Sequence, residues 1–311
     1  MAKALLQMSE SVRSPHMARA APAASRAASI LSFLTAHPSR GFTISELVEH
    51  LGINIASAHA TLAVLSDAGF VLRDPMHRTY ILGPALAATG FAALDQHPAI
   101  QAAIEQAELL ADELDAEVGL TAVAGRDVIF LARRGPEPLA ASIGYPGDRS
   151  PLLAPIGAVF MAWADDGAIT AWLERASLDA RHVDLYRRVL TEIRGRGFSV
   201  PMPPIGADAV ADAMTRLREE PTADDAEQQL TEALQKADEM LLLIDELSGS
   251  DEVVFKTVAA PIFDPIGRVL LSLSITGPEH PVRVDRVLQL GQRLVQSAGI
   301  ATRQARGRVP S

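Results

Sequence analysis

ISELVEHLGINIASAHATLAVLSDAGFVLRDPMHRTYILG, residues 44–83, decides how the N-terminal part of the chain is built. Leu47, Val48 and Leu51 fall on one face of a short helix, with Ser45 read as its cap. Gly52 then turns the chain, since a glycine accepts a left-handed backbone without steric cost. A second helix is expected over Ile55–Ala68, with Ala58, Leu62 and Leu65 turned inward and Gly69 closing its C-terminus. The β-prone runs FVLR and TYIL, joined by DPMHR, read as a hairpin. Upstream, Ala27, Ile30, Leu31 and Leu34 place another helix over Arg26–Ala36, and Phe42-Thr43-Ile44 starts a short strand. Helix, helix, turn, helix and hairpin is the order of a winged helix-turn-helix.

Outward from this stretch the pattern changes. ALAATGFAAL after Pro84 is helical, His97-Pro98 breaks it, and an amphipathic helix follows to about Asp115. VGLTAVAGRDVIFLARRG gives two strands around a turn at Gly125-Arg126-Asp127. Past the loop GYPGDRSPLLAP come three helical patterns (IGAVFMAWA, AITAWLERA, RHVDLYRRVLTEIRGRG) and the strand FSV. The strands FKTVAAPIF and RVLLSLSIT are joined by DPIG, and a helix over about Val284–Arg303 closes the chain. The fold class is therefore α+β: a winged helix-turn-helix, a linker helix and a sheet domain carrying an acidic helical insertion.

The boundaries expected are an arm over 1–24, the winged helix over 25–83, the linker over 84–97, the sheet domain over 98–306 and a tail over 307–311. The arm is small, Ser/Ala-rich and mildly basic. It reads as disordered, with a transit peptide or a DNA-grasping arm as the alternatives.

Charge is unevenly placed. The 311 residues carry a net charge of −10. Residues 1–90 hold seven Lys/Arg against five Asp/Glu, a net of +2, whereas residues 200–252 hold three against fourteen, a net of −11. The N-terminal part is thus free to approach phosphates while the acidic excess lies elsewhere. With no cysteine there are neither disulfides nor thiolate metal sites, and a reducing, cytoplasmic setting is expected. No apolar run approaches the roughly 20 residues that span a bilayer. The eight histidines form no metal-like spacing, and neither a phosphate-binding glycine loop nor a nucleophile–base signature occurs. No catalytic residue, metal or cofactor is assigned, and an enzyme is not expected.

The wording of the elements resembles the IclR family of bacterial transcriptional regulators. The resemblance is carried by Ile44-Ser45-Glu46-Leu47, Gly52, Ser57-Ala58-His59, Leu62, Leu65, Ala68-Gly69 and Tyr80-Ile81-Leu82-Gly83. GDRSPLLAPIGAVFMAW, LTEIRGRGFSV and VAAPIFDPIGRVLLSLSITGP extend it along the C-terminal half. It implies a GAF-like effector-binding domain, assembly as a homodimer or homotetramer, and operator binding modulated by a small molecule. Two departures stand out. Where the family commonly has Lys, Ser/Thr and Arg near the start of the recognition helix, this chain has Ile55, Ala56 and Ala60. It also inserts the acidic, mostly helical segment 200–252 before the closing hairpin.

An apolar recognition helix still serves, because phosphate contacts supply affinity and few base contacts discriminate. Asn54, Ser57 and His59 are the candidate readers at its start, with Ala56 or Ala60 against a thymine methyl. The wing offers Arg73, His77 and Arg78 to backbone or minor groove, and Arg40 adds a phosphate contact. The plainer alternatives are helix capping for Asn54 and Ser57, a solvated histidine for His59 and ordinary surface charge for Arg73 and Arg78.

By resemblance the effector pocket falls at Leu152, Ile156, Gly157, Phe160, Phe255, Thr257 and Ser274. Gly157 opens a helix whose N–H groups suit a carboxylate. Family acidic positions are taken here by Pro201-Met202-Pro203-Pro204. The effector expected is an aromatic or other organic acid, and the apolar lining favours a hydrophobic or aromatic ligand over a two-carbon acid. The insertion, with Leu230, Leu234 and Leu241 near helical spacing, packs on its own domain or on a partner subunit. A solvated charged face, an acidic contact to transcription machinery and a mimic of DNA are the readings of its other side. The rival function is a protein-interaction or ligand-sensing module that has lost DNA binding.

Overall fold

The computed structural model describes residues 21–38, 40–136, 144, 146–200, 210, 212–216, 226–237, 244, 247–278 and 280–310. Most of the arm, the Pro201–Pro204 run and Leu241 lie outside the described residues, as do the surroundings of the Leu234 side chain.

The N-terminal unit contains helix α1 (Pro22–Ala36), strand β1 (Phe42–Thr43), helices α2 (Ile44–Leu51) and α3 (Ile55–Asp67), and strands β2 (Val71–Arg73) and β3 (Thr79–Leu82). Helix α1 starts four residues before the expected Arg26, because Pro22 at its first turn has the φ a helix needs and no N–H to waste. Ile30, Phe33 and Leu34 on α1 pack with Phe42, Leu47, Leu51, Leu62 and Leu65 into one small core.

The start of α2 corrects the sequence reading: Thr43, not Ser45, is the cap. Its hydroxyl accepts from the Glu46 N–H at 3.3 Å, and the Thr43 N–H donates to Glu46 Oε2 at 2.7 Å. That reciprocal box satisfies two otherwise orphaned donors. Gly52 ends the helix at φ 58°, ψ 28°, the left-handed conformation assigned to it from sequence. The three strands form an antiparallel sheet in the order β1-β3-β2.

Two helices lead on: α4 (Pro84–Gln96) and α5 (Pro98–Leu114), with the break at His97-Pro98. The second body is a five-stranded antiparallel sheet in the order β6-β5-β4-β9-β8. Its strands are β4 (Val118–Ala124), β5 (Asp127–Arg134), β6 (Arg149–Pro151), β8 (Thr257–Phe263) and β9 (Val269–Thr276). A two-stranded ladder pairs β7 (Glu252–Val253) with β10 (Val282–Arg283). FSV does not form a strand of the sheet; Ser199 makes a single antiparallel bridge to Ala259.

Side chains alternate across the sheet. Val118, Leu120, Val258, Ala260, Leu271 and Leu273 face α5 and the closing helix α10 (Val284–Gln304) in the main core. Gly291 on α10 is fitted to that core, since a Cβ there would lie 2.2 Å from the Phe198 ring. The opposite face is partly covered by α6 (Ala158–Met161), α7 (Asp166–Arg175) and α8 (Ala180–Arg196), whose apolar residues form a second cluster with Val128 and Ala259. Leu230, on α9 (Ala226–Ala237) of the acidic insertion, is fully buried in that same cluster. The insertion therefore packs on its own domain there.

Candidate nucleic-acid interface and effector cleft

The face of α3 away from the core is what the N-terminal unit presents to solvent. Ala58, Thr61, Leu62 and Leu65 are buried against α1 and α2, so Ala56, His59, Ala60, Ala63 and Val64 are exposed. Ile55 is 51% and Val64 67% exposed, so the outer face is apolar with one imidazole in its first turns. Asn54 is the N-cap: its Oδ1 accepts from the N–H groups of Ala56 at 2.9 Å and Ser57 at 3.3 Å. A bidentate contact to adenine needs that carbonyl as well as the amide, so Asn54 shapes the helix start before it can read a base. Ser57 is half-buried, and its carbonyl accepts from the Thr61 hydroxyl at 2.8 Å.

The wing turn is organised by Asp74. Its Oδ1 accepts from the N–H groups of Met76 at 2.7 Å and His77 at 3.2 Å, and its Oδ2 lies 2.8 Å from His77 Nδ1. These bonds, led by the one from the His77 ring, hold the carboxylate below its ordinary range. His77 is thus committed to the turn, while Arg78 is exposed at φ 56° on the tip. Arg73 belongs to one row across the small sheet, and Arg40, just before β1, lies over a ring of that row. Phe42 pairs with Tyr80 and Tyr80 with Arg73. The Arg73 guanidinium carbon sits 5.9 Å from the Tyr80 ring centroid and that of Arg40 sits 4.0 Å from the Phe42 ring centroid. Arg40 also lies 3.6 Å from Glu46, with its side chain still more than half exposed.

A second candidate site lies on the large sheet. A small cleft of about 10 Å³, room for about one water molecule, opens on the face turned away from α5 and α10. Phe130, Thr257, Ser274 and Thr276 border it, and Glu117 and Arg133 close one end. The Arg133 Nε is 3.1 Å from Glu117 Oε1, and both side chains are largely buried.

Of the seven positions expected to line the pocket, Thr257 and Ser274 border this cleft. The other five are packed elsewhere. Leu152, Ile156 and Phe160 belong to the apolar cluster beneath α6–α8, and the Ile156 carbonyl accepts from the Trp172 indole N–H at 2.8 Å. Phe255 is buried in the main core on the far side of the sheet. Gly157 has φ 83°, a Cβ there would lie 2.3 Å from Leu152 Cδ1, and the helix it opens is one turn long. One turn offers little dipole to a carboxylate.

Glu117 and Arg133 escaped the sequence reading. The only signal was the strand pairing itself: Gly119 is opposite Arg133 in the β4–β5 ladder, which brings the chain just before β4 beside the end of β5.

Among the described residues, no cluster of three His, Cys, Asp or Glu could hold a metal ion, and no helix is long and apolar enough to cross a membrane.

Comparison with known proteins adds a domain type and a fold to this geometry. Residues 23–75 match the model of the IclR helix-turn-helix domain. The helix-turn-helix is of the IclR type. Solved structures share the fold well beyond that domain. One from Alicyclobacillus acidocaldarius is 22% identical with a TM-score of 0.65, over 92% of this chain and 99% of that one. Pseudomonas aeruginosa HmgR is 21% identical with a TM-score of 0.59, over 90% and 97%. An IclR homolog of Microbacterium hydrocarbonoxydans, solved in complex with 4-hydroxybenzoate, is 16% identical with a TM-score of 0.60, over 91% and 99%. A comparison with curated proteins returned no match. The chain thus has the IclR-family transcriptional regulator fold: an IclR helix-turn-helix followed by an antiparallel sheet domain. The match to the domain model ends at residue 75, so the wing tip is described by the structure alone.

Proposed function

We propose that this chain is a sequence-specific DNA-binding transcriptional regulator whose hold on its operator is modulated by a small molecule bound at the sheet domain. One observation carries the reading: α3 turns its uncovered face outward beside a wing bearing Arg73 and Arg78, in the part of the chain from which the acidic excess is absent. Helix α3 lies in the major groove, with Ser57 and His59 near base edges and Ala56, Ala60 and Ile55 against thymine methyls. Arg40, Arg73 and Arg78 take phosphates, and Asn54 and His77 hold the helix start and the wing turn in shape. The complex of a similar regulator with 4-hydroxybenzoate supports a small, ring-bearing effector. The protein acts in the cytoplasm, without a cofactor and without catalysing a reaction, as a homodimer or homotetramer.

The test is a mobility-shift titration on the DNA upstream of the protein's own gene, repeated over a salt series. A shift that weakens steeply with salt and survives non-specific competitor is the expected result. No salt-sensitive shift at micromolar protein, with a protein partner recovered instead, would mean that the outer face of α3 serves protein contacts.

A further inference from the structure

The wing tip carries a histidine whose tautomer is set by its neighbour. His77 Nδ1 lies 2.8 Å from Asp74 Oδ2, while Asp74 Oδ1 is taken by the N–H groups of Met76 and His77. A carboxylate held below its ordinary range only accepts, so the proton of the ring contact sits on Nδ1. In the neutral imidazole the other nitrogen is then bare, an acceptor with no hydrogen to give. The His77 side chain is 68% exposed, and its Nε2 has no partner among the described residues.

From this arrangement we infer that His77 reads sequence: its Nε2 accepts a hydrogen bond from the 2-amino group of a guanine in the minor groove, and Asp74 is the positioning residue that fixes the tautomer. The inference rests on the reading of the chain as a DNA-binding regulator and deepens it by naming one base-pair preference of the operator.

Donor chemistry gives the reason. Phosphates offer acceptors only, so they suit the guanidinium groups of Arg73 and Arg78 and leave a bare ring nitrogen unpaired. With α3 in the major groove, the hairpin that follows it reaches across a phosphate strand to the adjoining minor groove. Adenine and thymine line that floor with acceptors, and its one donor is the guanine amino group. An acceptor at the tip is matched by G·C and meets only other lone pairs at A·T. An arginine in the same groove has the opposite preference, because its donors seek the adenine and thymine acceptors. The sign of the preference therefore separates His77 from Arg78.

Asparagine at position 74 turns the contact round. Its amide oxygen keeps the two backbone N–H groups, while its NH2 donates to Nδ1 and drives the ring proton to Nε2. The same reversal follows in a catalytic triad when the carboxylate behind the histidine becomes an amide. The tip then presents a donor, and the guanine amino group no longer suits it.

Fluorescence anisotropy of the full-length protein tests this at pH 8, above the ordinary histidine pKa of about 6.5. The probes are duplexes of the footprinted DNA upstream of its own gene. Each base pair in the flanks of the footprint is replaced in turn by G·C and by I·C, which lacks only the 2-amino group. At one flank position at least, G·C should bind the unmodified protein about fivefold tighter than I·C, the worth of one neutral hydrogen bond. His77→Phe keeps a ring without its nitrogens and should abolish that difference; Asp74→Asn should abolish or reverse it. A merely structural role for either residue would weaken both duplexes alike. The inference is overturned if no position prefers G·C, or if the preference survives in either folded variant. Should His77→Phe fail to fold by circular dichroism, the unmodified protein and Asp74→Asn decide. A salt-sensitive operator shift without the guanine preference sinks this inference alone. With no salt-sensitive shift on any duplex, the regulator reading falls and this one falls with it.

Discussion

Arg78 shows how much one residue's setting decides. It lies on the tip of the wing, exposed, at φ 56°, a conformation few residues other than glycine adopt readily. The neighbouring His77 is tied to Asp74, so the tip offers one well-exposed cation with a fixed turn beneath it. A phosphate contact by such a residue carries no sequence information. Arg78→Ala should therefore weaken binding to every DNA sequence alike and reduce the slope of log affinity against log salt by about one. Anisotropy titrations on operator and random duplexes across salt check this. Lost discrimination at unchanged non-specific affinity would place Arg78 on a base edge instead. Asn54 teaches the complementary lesson. Its type and position suited both a base reader and a cap, and the two N–H groups it satisfies assign it to the helix first.

At the scale of elements, the start of α2 has an energetic content that can be measured. The Thr43 N–H bond to Glu46, then the Thr43 hydroxyl, and more weakly the Arg40 charge, hold the Glu46 carboxylate below its ordinary range. A carboxylate whose pKa is lower folded than unfolded adds stability above the unfolded value and loses it as pH falls through the folded one. The contribution should be complete at neutral pH and fade below the ordinary glutamate pKa, about 4.3. Thr43→Ala should cost about 1 kcal/mol at pH 7 and flatten that acid-side slope. Urea denaturation at pH 7, 5 and 3.5 tests both parts; an equal loss at all three would mean that Glu46 has no share in the cap. Helix α3 obeys a different logic. Its inward residues at 58, 61, 62 and 65 follow helical spacing, so packing was readable. What its outer residues meet was not, because alanine, isoleucine and valine carry no signature of a groove.

For the molecule as a whole, the unanswered surface is α4. It is built from Pro84–Gln96, none of its described residues is buried, and Phe91 is 69% exposed. An apolar, alanine-rich helix between the two bodies is a natural contact for a second copy of the chain. Phe91→Asp should convert a dimer or tetramer into smaller species by sedimentation velocity at micromolar concentration, and should weaken operator binding with it. A wild-type monomer would mean there is no such subunit contact, and a variant of unchanged size would move it elsewhere. The sheet domain is self-sufficient by comparison: the ladder β6-β5-β4-β9-β8, the two helices α5 and α10 on one face and the buried Leu230 of the insertion on the other close it around its own cores.

By itself the sequence determined what is local. Period-3.6 and period-2 apolar spacing, the glycine at 52, the turns at 125 and 264–267 and the charge contrast between the first 90 residues and the insertion all act within a few residues or as simple sums. They were legible for that reason. Tertiary structure decided what depends on residues distant in the chain. Thr43 rather than Ser45 caps α2 because strand β1 ends there. Where Leu152, Ile156, Phe160 and Phe255 pack was not readable, because apolar residues in a core and in a pocket share one composition. Glu117 and Arg133 meet because the β4–β5 register brings the two ends of a hairpin together, and no spacing along the chain announces that register.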